Sequence, residues 1–299
     1  MSTLSPARPT FTSPFADAKV TFPHLLRSEW RKLWSLRSTW WVLGVTVVIM
    51  IGFALIFSLA FTNFVSGNPD AAQGVQEAGG IPPTTFVTAG YSFGALVAAS
   101  LGAIAMTGEY STGQIRATLS AAPARLPVLW AKLTMIALVV FVVIAVSTAV
   151  AYLVTQPILS SHDINVDLSD SEQLRALIGT PLYVTVVALF AVAVGALIRS
   201  TPGAIVTVVA LFFLVPSIIG TIASATSASW AENLNKWLPS SAGERIITAF
   251  SGGSAPGGPN GGPGSSLPLF DAWPGFAVLC AYTAVLIVAA AFVIKRRDA

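Results

Sequence analysis

The chain has 299 residues, 54% of them hydrophobic and only 10% charged, with a mean hydropathy of +0.75 and a formal net charge of +3. Soluble domains carry about 25% charged residues, so this composition excludes an ordinary water-soluble fold, which would expose large apolar patches. The single Cys280 excludes an intrachain disulfide, and one cysteine with only His24 and His162 argues against a zinc site.

Residues 1–21 read as a disordered cytoplasmic tail, and no short apolar region with a cleavage site precedes the first long apolar run. Residues 22–39 read as an amphipathic interfacial helix. Leu25, Leu26, Trp30, Leu33 and Trp34 recur at helical spacing, while Arg27, Glu29, Arg31 and Lys32 fall mostly between them. Trp40 and Trp41 then stand where a first span enters lipid, at the depth of the aromatic belt.

Six charge-free runs follow, at about 40–64, 84–107, 133–156, 176–198, 202–223 and 273–294. A bilayer core of about 30 Å takes roughly 20 helical residues, and backbone groups in lipid must be satisfied within the segment. The sequence therefore predicts an all-α polytopic membrane protein with six transmembrane helices. Charges bracket the runs without entering them, as the cost of an interior charge requires. In span two, Gly90, Gly94 and Gly102 with Ala98 and Ala99 allow close helix contact, and in span five Pro202 and Pro216 start or kink the helix.

The connecting segments differ in character. Between spans two and three, Glu109 to Leu119 can form a short helix that Ser120 to Pro123 breaks. The loop between spans three and four holds Asp163, Asp167, Asp170 and Glu172, whose spacing does not match a calcium loop and reads as a solvated acidic segment. Trp230 to Phe250 is predicted to form a short interfacial or re-entrant helical segment, and the Gly/Pro-rich stretch 251–266 reads as a flexible external tether.

Lysine and arginine set the orientation. With the N-terminus inside, the outer loops hold only Arg175, Lys236 and Arg245 of the sixteen basic residues, so both termini are expected in the cytoplasm. No phosphate-binding P-loop, HExxH or GxSxG motif occurs, and no acid or histidine lies within a predicted span. The chain is therefore read as a non-catalytic membrane subunit that needs no cofactor and no metal.

The stretch GEYSTGQIRATLSAAPARLPVLWAK, Gly108 to Lys132, resembles the cytoplasmic coupling region of ABC-2 type permeases, the membrane subunits of ATP-driven exporters. Glu109, Gly113, Arg116 to Leu119, Pro123, Arg125, and Ala131 with Lys132 carry the likeness. SEWRKLWSLRSTWW is similar to the family's entry helix, and LNKWLPSSAG resembles the segment before its last span. The Gly/Pro-rich loop has no counterpart in that pattern.

The resemblance implies a multi-pass protein of the plasma membrane that pairs with a second permease copy or paralogue and with two copies of a separate P-loop ATPase subunit. It assigns ATPase coupling to Glu109, Tyr110, Gly113, Arg116 and Arg125. It assigns the interfacial helix to Trp30, Arg31, Lys32 and Trp34, and by analogy a substrate path along the permease dimer interface, lined by spans two and five. Export by alternating access follows from it, with membrane lipid as surroundings and no nucleic acid. The residues alone leave open a non-transporting scaffold or sensor, or a secondary transporter.

Overall fold

The computed structural model describes residues 21–68, 70, 73, 81–114, 125–162, 164–226, 228–249 and 270–296. The tail 1–20, the expected short helix from residue 115 onward with Arg116 and Pro123, and the Gly/Pro-rich stretch 251–266 lie outside the described residues.

The described elements are all helical. Helix α1 spans Phe22–Ser35, and a break at Leu36 turns the chain into α2, Arg37–Gly67. A short α3, Thr84–Val87, leads into α4, Tyr91–Ser111. Next come α5, Arg125–Ser160, and α6, Ser171–Ile198, whose first turn is capped by Asp170 accepting from the Glu172 N–H at 2.9 Å. The fifth crossing is composite. It contains α7, Thr201–Val209, a π-helical segment Ala210–Leu214, and α8, Val215–Thr226. Helices α9, Ser229–Trp237, and α10, Pro239–Gly243, run into a 3-10 turn, Glu244–Ile246, before α11, Ala272–Arg296.

Among the described residues, six helical stretches are long and apolar enough to cross a membrane: Arg37–Gly67, Thr84–Ser111, Leu126–Ser160, Ser171–Ile198, Thr201–Ala223 and Ala272–Arg296. An even number of crossings places α1 and the basic end of α11 on the same side. The protein is thus an all-α polytopic membrane protein.

Helix α6 is the hub and packs against α4, α5, α7 and α11. Within its most apolar stretch 72% is buried, against 22% for the fifth and sixth crossings, so those two present most of their surface outward. Close approach of α4 to α6 depends on Gly102, where an added Cβ would lie 2.4 Å from the Ala188 carbonyl oxygen. The small buried Ala98, Ala99 and Ala103 extend this face. Without a hydrophobic drive between helices in lipid, such intimate packing supplies the association energy.

The π-helical turn has a local cause. Pro216 has no N–H to offer Phe212, the ladder loses a bond there, and the turn before it widens so that the Val215 N–H reaches the Ala210 oxygen. Phe212, 3% exposed, fills the space against the Phe190 ring at 5.0 Å.

The segment from Ser229 is helical, and its second half is a wedge. Ser240, Ser241, Ala242, Arg245, Ile246 and Ile247 are buried. The wedge touches backbone at two glycines: a Cβ on Gly179 of α6 would meet the Ile246 oxygen at 2.6 Å, and one on Gly275 of α11 the Ala242 oxygen at 2.4 Å. Leu234 and Trp237 of α9 face outward. Of the expected segment, Phe250 lies outside the described residues.

Candidate coupling site at the base of the bundle

At the end of the bundle that carries α1, four charged side chains close a ring. Lys132 of α5 donates to Glu29 Oε2 of α1 at 2.7 Å and to Glu109 Oε1 of α4 at 2.9 Å. Lys32 of α1 donates to Glu29 Oε1 at 2.9 Å and to the same Glu109 Oε1 at 2.8 Å. Signs alternate around the ring and cancel. The side chains of Glu29, Glu109 and Lys132 are 5%, 7% and 5% exposed, and that of Lys32 is 37% exposed. Burial alone would push the Lys32 ammonium down, but its hydrogen bonds to Glu109 and Glu29 outweigh that and hold it above the ordinary lysine value. Glu109 Oε2 is buried and makes no hydrogen bond to a described residue.

Each member is brought there by a different part of the sequence. The Leu36 break folds α1 back on the bundle, with Leu33 buried and Leu26 and Trp34 packed against the core. Glu109 rides on the last turn of α4. Lys132 is eight residues into α5, because that helix begins at Arg125, well before the apolar run. A buried network of this kind costs several kcal/mol per ion in desolvation, which the four alternating contacts offset. It therefore fixes α1, α4 and α5 in one relative position.

A second polar contact lies beside it. Arg199 ends α6 in the left-handed conformation, φ 59°, and its guanidinium sits 5.0 Å from the centre of the Tyr110 ring. Thr107 of α4 and Thr201 of α7 share a hydrogen bond of 2.7 Å. The base of the bundle is thus pinned across five helices.

The expected site residues divide. Glu109 and Tyr110 both lie in this cluster. Gly113 stands just past α4 with φ 69°, the left-handed region that glycine enters freely, so the chain turns away from the helix axis there. Arg125 opens α5, and Arg116 is outside the described residues. On α1, Lys32 joins the ring and Trp34 packs at 5.0 Å from Trp30 and 4.5 Å from Trp40, while Trp30 and Arg31 are exposed.

Two members of the ring were not among the expected site residues. Glu29 was placed among the polar face of α1, yet it is 4% exposed. Lys132 was read as the end of the coupling-region likeness and the charge before span three, yet it is inside a helix and 4% exposed. The usable signal was that Glu29 is the only acid in an otherwise basic helix, at i and i+3 with Lys32.

A family model for ABC-2 family transporter proteins matches residues 25–299, which takes in most of α1, the charge ring and all six crossings. No curated protein gives a significant match. With nearly the whole length matched and six membrane-crossing helices in place, the chain belongs to the ABC-2 family transporter proteins and is the membrane-spanning permease component of an ABC transporter.

Proposed function

We propose that this permease couples ATP hydrolysis on separate ATPase subunits to export of a substrate by alternating access, and that the segment leaving α4 at Gly113 and re-entering at Arg125 is what the ATPase touches. The reading rests on the buried ring of Glu29, Lys32, Glu109 and Lys132. It ties the surface helix α1 to both helices that flank that segment, so a push on the segment moves all three as one rigid piece. Motion is transmitted only if the ATPase contacts differ between two states, and a rigid base makes such a difference felt across the bundle. In this reading the base faces the cytoplasm of a plasma-membrane protein, two permease copies form the path, and two ATPase subunits dock below. The fifth crossing is little buried within one chain, which leaves it a face for the second copy.

The experiment is co-purification with the ATPase. Glu109→Lys, and replacement of 114–122 by a Gly/Ser stretch of equal length, are each expected to abolish capture while leaving the permease in the membrane. Full ATPase capture by the replaced chain would falsify the assignment.

A further inference from the structure

Across the membrane from the charge ring, a cavity of about 500 Å³ opens between the first turns of α6 and α11. Arg175 and Arg245 line it together. Arg175 donates to the Arg245 carbonyl at 3.1 Å and the Thr248 carbonyl at 3.0 Å, and Arg245 donates through Nε to the Phe270 carbonyl at 3.0 Å. These bonds to neutral oxygens fix both guanidinium groups without neutralising them, while Asp170 acts on Arg175 and Asp271 on Arg245 electrostatically. Among the described residues no carboxylate lies within 4.0 Å of either.

Arg245 is only 5% exposed. Burial pushes its guanidinium down, repulsion from Arg175 adds to that, and Asp271 at longer range opposes it. Two cations that line one cavity, one of them buried, are satisfied by an anion that reaches both. Guanidinium forks match the oxygens of a phosphate. The rim around them is apolar and outward-facing, with Trp273 61%, Ile178 51% and Leu174 40% exposed. A tryptophan on the first turn of a span marks the headgroup level.

We propose that this cavity binds the phosphate of an anionic phospholipid in the leaflet on that side. Arg175 and Arg245 take the phosphate, and Leu174, Ile178 and Trp273 take the upper chain region. The apolar rim commits the site to a lipid, since a free phosphate has nothing to place there. Glu172 and Asp271 also line the cavity and oppose the two arginines, so the phosphate has to engage the guanidinium groups directly. The site is remote from the base cluster, so its test does not depend on the coupling reading.

The full chain, purified in detergent, is titrated with phosphatidylglycerol, phosphatidylcholine and inorganic phosphate, and adducts are counted by native mass spectrometry. Phosphatidylglycerol is expected to bind more tightly than phosphatidylcholine. Arg175→Gln should weaken it roughly tenfold or more, the loss of one charge-assisted contact, while Arg27→Gln leaves it unchanged. Asp271→Asn should tighten it, an outcome that damage to the fold does not produce. Unchanged binding in Arg175→Gln, or weaker binding in Asp271→Asn, overturns the proposal. Displacement of the lipid by equimolar inorganic phosphate assigns the site to a free anion and overturns it equally.

Discussion

Removing Lys132 should damage the protein far more than removing Lys32, although both join the same two carboxylates. Lys132 reaches Glu29 and Glu109 at 2.7 and 2.9 Å with its side chain 5% exposed. At an effective dielectric of about 20, each contact carries roughly 6 kcal/mol of attraction, most of which offsets desolvation. Lys132→Met strips that compensation from two buried carboxylates and is expected to cost about 3–5 kcal/mol. Lys32 is 37% exposed, so water replaces much of what it gives, and Lys32→Met is expected to cost about 1 kcal/mol. The double variant Glu109→Gln/Lys132→Met should lose less than the sum of its parts, by about 0.5–3 kcal/mol. Unfolding in graded dodecyl sulfate, followed by the fluorescence of the eight tryptophans, measures all of these. Equal costs for the two lysines, or strict additivity in the double variant, would refute the closed ring.

Three further outcomes follow from other parts of the structure. Gly102→Ala puts a Cβ 2.4 Å from the Ala188 oxygen and should cost about 1–3 kcal/mol in the same titration; an unchanged midpoint would show that α4 and α6 do not meet there. Because the folded-state pKa of Lys32 is raised, its contribution should be fully present below pH 10.5 and be lost as pH rises from there through the folded value; the stability gap between wild type and Lys32→Met should therefore stay constant to pH 10.5 and close above it. With Cys280→Ser as background, Ser111→Cys should react with an impermeant thiol reagent only in inside-out vesicles, and labelling of intact cells would reverse the orientation.

Much of this architecture can be read from the sequence because lipid imposes a coarse rule: apolar runs of sufficient length become helices and charges stay at their ends. That rule finds the six crossings. It fails at Lys132, because a helix starting at Arg125 carries the lysine inward and the compensating acids sit 23 and 103 residues away. Helical periodicity finds α1 through its leucines and tryptophans, yet assigns Glu29 to water, since only the folded partner shows that a carboxylate on that helix is covered. Small residues in span two announce close packing, but not that α6 is what they pack against. The wedge before α11 is recognisable as helical, whereas its burial depends on Gly179 and Gly275 giving it room. Pro216 signals a disturbance without revealing that the chain answers it with a π turn.

That π turn has a consequence for how the fifth crossing behaves as a mechanical part. With one residue too many between Ala210 and Leu214, everything beyond is rotated by about 100° relative to an unbroken helix, so α7 and α8 do not share a face. Because Pro216 cannot donate, the wide turn is held at this one place, like a dislocation pinned in a crystal, and the offset is built into the rod. The two halves of the rod therefore turn different side chains toward any one neighbour.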